Sequence, residues 1–127
     1  MPHRSRLAGF IIDCRTGDLD GAARFWSAAL GLPIADPDSG GTGRYAEFGD
    51  TPGHLHVEVQ TVGHEARVHL DIESDDIDAE AARLESLGAR KVERKPRWWI
   101  MQAPTGHRFC VVPMREDSLR AAPTAWG

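Results

Sequence analysis

The strongest constraint on this chain is that it repeats itself. The segment from Ile11, IIDCRTGDLDGAARFWSAALG, matches the segment from His69, HLDIESDDIDAEAARLESLG. Asp13, Asp18 and Asp20 recur as Asp71, Asp76 and Asp78, each 58 positions on, and the segments end in Leu30-Gly31 and Leu87-Gly88. Pro52-Gly53-His54 has a counterpart in Pro104-Thr105-Gly106-His107, and each leads into an apolar stretch. One matched Asp pair arises easily by chance. A strand, an Asp cluster, a helix, a Gly stop and a final strand repeated in the same order do not. The repeat predicts two modules, about residues 7–62 and 66–114, joined only by Gly63 to Ala66 and followed by a tail over 115–127. At 127 residues the two modules fit one domain, 1–127.

Each half reads as strand, helix, then three strands. Leu7 to Cys14 is β-rich with no helical period, and the next segment sets Leu19, Ala23, Trp26 and Leu30 on one helical stripe. Asp18 caps the first turn and Gly31 closes the last. Ile77, Ala81, Leu84 and Leu87 repeat the stripe, with acidic residues from Asp75 to Asp78 at the positive helix end and Gly88 as the stop. Short β-type runs follow at Leu32–Ala35, Arg44–Phe48 and His54–Val62, then at Lys91–Arg94, Trp98–Gln102 and Arg108–Pro113. Phe25 and Trp26 are read as core. Residues 116–127 have weak periodicity and are read as a tail, with Trp126 as its candidate anchor.

Composition excludes several function classes. The net charge is −4, from 15 Lys and Arg against 19 Asp and Glu, so a broad basic face for nucleic acid is not expected. No apolar run approaches the roughly 20 residues of a membrane span, and the basic start MPHRSR is followed by no signal-type apolar region. The two cysteines, Cys14 and Cys110, form no CxxC pair, which argues against a disulfide scaffold or a zinc knuckle. A reduced, cytoplasmic setting is expected.

Two βαβββ modules carrying FW…ALG, Val68-His69-Leu70-Asp71-Ile72, Leu87-Gly88-Ala89, Trp98 and the run Gly106 through Val111 resemble the glyoxalase/bleomycin-resistance/dioxygenase family, the vicinal oxygen chelate superfamily, and within it the glyoxalase-like subgroup. The resemblance implies an α+β fold in which two half-barrel modules surround a concave pocket. It implies little about chemistry, because this fold serves lyases, dioxygenases, isomerases and drug-sequestering binders. In the family's metal-dependent members the first and last strand of each module supply four ligands. Those positions map here onto Ile11, one of Glu58 or Gln60, His69 and Cys110. Ile11 cannot ligate and Cys110 stands where a carboxylate is usual, so no cofactor is expected. A divalent metal on His69 with Glu58 is the alternative.

The candidate site residues follow from that mapping and from strand alternation. His56, Glu58 and Gln60 share one face of their strand and are expected to line one cavity with His69 and Cys110. His69 is the candidate catalytic group, as ligand, base or hydrogen-bond donor, or else a structural histidine. Cys110 is a soft ligand or an inert buried thiol. Trp98 and Trp99 must point to opposite sides, and Trp98, which matches the family's Trp, is the candidate pocket wall. The run Arg90–Arg97 holds five of the 15 basic residues and reads as a solvated hairpin or a clamp for an anionic ligand. Three function classes remain: a binder of a small, aromatic or anionic molecule; a lyase, isomerase or dioxygenase using His69; and a partner subunit with a vestigial pocket. The family further implies a homodimer, in which modules can be exchanged between chains.

Overall fold

The structure is a computed structural model that describes residues 2–127. Its elements run β1 (His3–Cys14), α1 (Leu19–Leu30), β2 (Ile34–Asp36), β3 (Tyr45–Phe48), β4 (His56–Thr61), β5 (Arg67–Ser74), α2 (Ile77–Ser86), β6 (Arg90–Arg94), β7 (Trp99–Gln102), β8 (Arg108–Pro113) and β9 (Thr124–Trp126). Two βαβββ modules in an α+β fold are therefore present, β1 to β4 around α1 and β5 to β8 around α2. Two compact units emerge: Phe10–Val68, and the segment up to Gly9 together with His69–Gly127.

In the Phe10–Val68 unit the strand order is β2-β3-β4-β1. Asp18 accepts a 2.9 Å hydrogen bond from the Gly21 amide, and Gly31 closes α1 in the left-handed conformation, as the stop signals predict. Ala23 of α1 packs with Ile12, Ala46, Phe48, Val57 and Val59, and Trp26 lies partly buried against them. Strand alternation explains the set: β3 and β4 send every second residue under the helix and Tyr45, Glu47, His56, Glu58 and Gln60 the other way. Phe25 is a correction to the sequence reading. It is 62% exposed and meets Trp26 edge-on at 5.1 Å, because one step around a helix from the buried stripe turns a side chain outward.

In the other unit the order is β1-β5-β8-β7-β6, with β9 pairing β1 antiparallel. Here β5 and β8 are parallel, with Asp71 opposite Cys110, while β8, β7 and β6 run antiparallel to one another. Asp76 caps α2 through the Ala79 amide at 3.0 Å. Ala81 and Leu84 pack on Met101, Phe109 and Val111, with Ile72 and Trp99 beside them. Leu30 and Leu87, the last members of the two apolar stripes, are 45% and 65% exposed, since each helix ends there and has nothing left to cover.

Several boundaries differ from expectation: β2 is Ile34–Asp36 rather than Leu32–Ala35, and β4 is His56–Thr61 rather than His54–Val62. β1 starts at His3 rather than Leu7: His3 and Ser5 are buried, and His3 Nε2 stands 2.8 Å from Glu80 of α2, a long-range partner that no local pattern announces. Trp98 precedes β7 rather than opening it; its carbonyl accepts from the Lys95 amide at 2.9 Å and so closes the β6–β7 turn. The tail contains a strand, β9, where none was expected. Trp126 does anchor it, donating to Ser5 Oγ at 2.8 Å with the Arg83 guanidinium 3.8 Å over its ring.

The tail is also tied down by charge. Glu73, 1% exposed, accepts from Arg6 Nε at 2.6 Å and from Arg120 Nε and Nη2 at 3.0 and 2.9 Å. Burial alone raises the Glu73 carboxyl pKa, but the Arg120 and Arg6 hydrogen bonds outweigh it and hold the group below the usual carboxylate range. A carboxyl depressed in the folded state stabilises above its unfolded pKa, and the contribution fades as pH falls through the folded value. Arg120→Ala is expected to cost about 1–3 kcal/mol by urea unfolding near neutral pH. That deficit should narrow in acid; one that stays constant down to about pH 3 would contradict the ion-pair account.

Candidate functional site

β5 carries the centre of the candidate site. Ile72 turns into the core beneath α2, so His69, Asp71 and Glu73 turn the other way. β8 behaves alike: Phe109 and Val111 enter the core, and Arg108, Cys110 and Val112 occupy the opposite face. The parallel register sets Asp71 beside Cys110. Donor atoms of His69, Asp71 and Cys110 all lie within 4.8 Å of one another, and the three residues are half-buried. His69 Nε2 is 3.6 Å from Asp71 Oδ1. An imidazole, a carboxylate and a thiol at this spacing offer one nitrogen, one oxygen and one sulfur donor, the set a borderline divalent ion accepts. The same groups can instead bind and orient an organic ligand by hydrogen bonding. The Glu73 end of this face is covered by the tail, through the Arg6 and Arg120 contacts and the bonds from Arg6 to the carbonyls of Ala121 and Arg115.

In the Phe10–Val68 unit a second donor group sits on the β3–β4 hairpin, on the face turned from α1. Glu47 and Glu58 are directly cross-strand, an arrangement that repels. His56 lies between them, Nδ1 3.6 Å from Glu47 and Nε2 3.2 Å from Glu58. Gln60 is engaged separately, donating to the Tyr45 hydroxyl at 3.0 Å. His56, Glu58 and Gln60 thus share a face as alternation requires, and His69 shares one with Cys110. The donor group that includes His69 is completed by Asp71 and Cys110, and the group that includes Glu58 by Glu47 and His56. Ile11 is 2% exposed and brings no donor.

Sequence reasoning missed Asp71 and Glu47 as site members. Asp71 had a signal: it stands two positions from His69 on one strand, and so on the same face. Glu47 had none, because only the hairpin register brings it opposite Glu58. Trp99 takes the helix side, donating its indole N–H to Asp78 at 2.8 Å, with Lys91 4.7 Å and Arg94 5.4 Å over its ring. Trp98 is half-buried and takes no part in that core.

The Phe10–Val68 unit holds a cleft of about 500 Å³ beside α1, lined by Ile12, Asp13, Cys14, Phe25, Trp26 and Arg67 among others. Asp13, 3% exposed, is 3.7 Å from Arg67 Nε. Burial first, then the neighbouring Asp13 carboxylate, push the Cys14 thiol up, and hydrogen bonding from Trp26 offsets this in part. The thiolate, which is the reactive form, is therefore suppressed. Iodoacetamide near neutral pH is expected to label Cys14 more slowly than a cysteine in an unfolded peptide, and Asp13→Asn should accelerate it. Peptide mass spectrometry showing the unfolded-peptide rate in the unsubstituted protein would contradict this.

No helix among the described residues is long and apolar enough to cross a membrane. The family model described as a glyoxalase-like domain matches residues 9–112. No curated protein matches the sequence significantly. Several solved structures share the fold. A glyoxalase/bleomycin resistance protein/dioxygenase superfamily member from Vibrio splendidus 12B01 is 16% identical, with a TM-score of 0.51 over 87% of this chain and 99% of its own. Methylmalonyl-CoA epimerase from Mycobacterium tuberculosis is 21% identical, with a TM-score of 0.58 over 87% of this chain and 89% of its own. Homoprotocatechuate 2,3-dioxygenase from Brevibacterium fuscum, in complex with 3,4-dihydroxyphenylacetate, is 17% identical at a TM-score of 0.58, and the match spans 97% of this chain but 39% of that one. At these identities the likeness is one of fold; the family model, which spans most of the chain, shows that it belongs to the glyoxalase-like domain family.

Proposed function

We propose that this protein binds a small organic molecule on the face of β5, β8 and β7 turned away from α2. His69, Asp71 and Cys110 form the polar centre, Ile100 and Trp98 form the apolar wall, and no complete four-donor metal site takes part. The convergence of three half-buried donors on that face carries the reading. Polar side chains held partly out of water at one spot, beside apolar ones, are what a small ligand needs for orientation and affinity together. The family's four-donor set does not fit this chain, since Ile11 has no donor atom. Without it, His69 is left to accept or donate a proton at an imidazole nitrogen that stands 3.6 Å from the Asp71 carboxylate, and the ligand need not be turned over.

A second reading is favoured by the donor chemistry itself. His69, Asp71 and Cys110 would hold a zinc-type ion, which supplies a Lewis acid when bound, and the protein would then be a lyase, isomerase or dioxygenase as several members of its superfamily are. Elemental analysis separates the two. On the first reading, protein dialysed extensively without chelator holds well under one equivalent of any divalent metal. On the second it holds one equivalent of zinc, iron, nickel or manganese, and both His69→Ala and Cys110→Ser lose it.

The Trp98 assignment is tested by a ranking. Trp98→Ala should remove about 1–3 kcal/mol of contact, a ten- to hundredfold loss of affinity for ligands found by thermal shift across a metabolite panel. Trp26→Ala, which opens the α1 core, should instead cost roughly 3–5 kcal/mol of stability and spare binding. The reverse ranking would overturn the wall assignment.

A further inference from the structure

We propose that the ligand of this face carries an anionic group, a carboxylate or a phosphate, and that Arg108 is the residue that receives it. The proposal rests on the reading that the β5–β8–β7 face is the binding face, and it names the class of ligand that face takes.

The arginines of this protein follow a pattern. Five are half-buried: Arg4, Arg6, Arg83, Arg108 and Arg120. A guanidinium partly withdrawn from water loses hydration, and the loss is offset when a carboxylate comes with it. Four of the five follow that rule. Arg4 pairs with Asp75 at 2.9 Å, Arg6 and Arg120 with Glu73 at 2.6 and 2.9 Å, and Arg83 with Glu80 at 2.7 Å. Arg108 has no carboxylate within 4.0 Å among the described residues, although the chain as a whole is acidic.

Register then shows what surrounds it. Arg108 pairs with Gln102 of β7, and Gln102 pairs with Arg90 of β6. On the other side the parallel ladder places Leu70 opposite Phe109, so His69 falls beside Arg108 one step earlier. A row across four strands therefore reads His69, Arg108, Gln102, Arg90, with no acidic residue in it. Gln102 is already committed, its Oε1 accepting from Arg90 and its Nε2 donating to the Gly106 carbonyl at 3.4 Å. It holds Arg90 in the row and gives Arg108 no counterion. The nearest acids on this face lie in the next row and are engaged: Asp71 in the group with His69 and Cys110, and Glu93 with Lys95 at 3.0 Å. Apolar Ile100 stands on the same face, on the neighbouring strand and one pleat along from the arginine. A planar fork of N–H donors beside apolar surface is matched by a small molecule with a carboxylate or phosphate at one end and an apolar body at the other.

The test uses three probes of one shape: benzoate, phenyl phosphate and neutral benzamide. Binding is read by calorimetry, and the Arg108 Nε–Hε cross-peak in the unsubstituted protein, assigned by its loss in Arg108→Lys, reports where the probe sits. At least one anionic probe should bind about tenfold more tightly than benzamide and move that cross-peak. Arg108→Gln should abolish the preference and Arg108→Lys should keep part of it, with both variants melting near the parent. Whichever anion ranks first identifies the group as carboxylate or phosphate. If benzamide binds this face as well as the anions do, or if the preference survives Arg108→Gln, the anion assignment falls while the binding face stands. If none of the three moves any signal from this face, the binding-face reading falls and takes the assignment with it.

Discussion

The parallel pairing of β5 with β8 is the constraint on which the second module depends. Parallel neighbours cannot be joined by a tight turn, so the chain must leave β5, cross over, and return alongside it. Here the crossover is α2 followed by β6 and β7, and it accounts for the module's layout. The helix covers one face, where Ile72, Met101, Phe109 and Val111 are packed. The other face is left to every second residue of β5, β8 and β7. Had β8 returned one residue out of step, Cys110 would lie under the helix and Phe109 beside Asp71. Core and candidate site are thus two consequences of one register, Asp71 against Cys110.

The two modules use the same scaffold but end up chemically unlike. On the β3–β4 hairpin, His56 stands between the opposed Glu47 and Glu58, within 3.6 and 3.2 Å of them. On β5 and β8, the carboxylate meets an imidazole and a thiol, and the neighbouring row is cationic. The repeat preserved the Asp13 and Asp71 positions, yet Asp13 is buried beside Arg67 next to a cleft, whereas Asp71 joins His69 and Cys110. A module is therefore a frame that sets which positions face which way. Function depends on what those positions carry.

Much of the frame is legible in the sequence because its signals are local. Asp18 and Asp76 announce helix starts, Gly31 a helix stop, and period-2 alternation the faces of β4, β5 and β8. What escapes is set by partners far along the chain. The first residues of β1 become a strand because His3 meets Glu80 and Arg4 meets Asp75, 77 and 71 positions away. The tail strand exists because Trp126 finds Ser5 and Arg83. Phe25 looks like core beside Trp26 and is exposed, since adjacent helix positions diverge by about 100°. The site divides the same way: His69 and Cys110 can be nominated from the repeat and the family resemblance, whereas the separation of Arg108 from every carboxylate among the described residues emerges only once the other partners are assigned.

The juxtaposition of His69, Asp71 and Cys110 underlies the functional account, and one measurement tests it directly. In a Cys14→Ser protein, Cys110 is the single thiol, and it can be alkylated while the imidazole signals of the histidines are followed by NMR. The account predicts that modifying Cys110 shifts the ring resonances of His69, whose donor atom lies within 4.8 Å, and leaves those of His107 at the β7–β8 turn nearly unmoved. A modified Cys110 that leaves the His69 resonances where they were would contradict it.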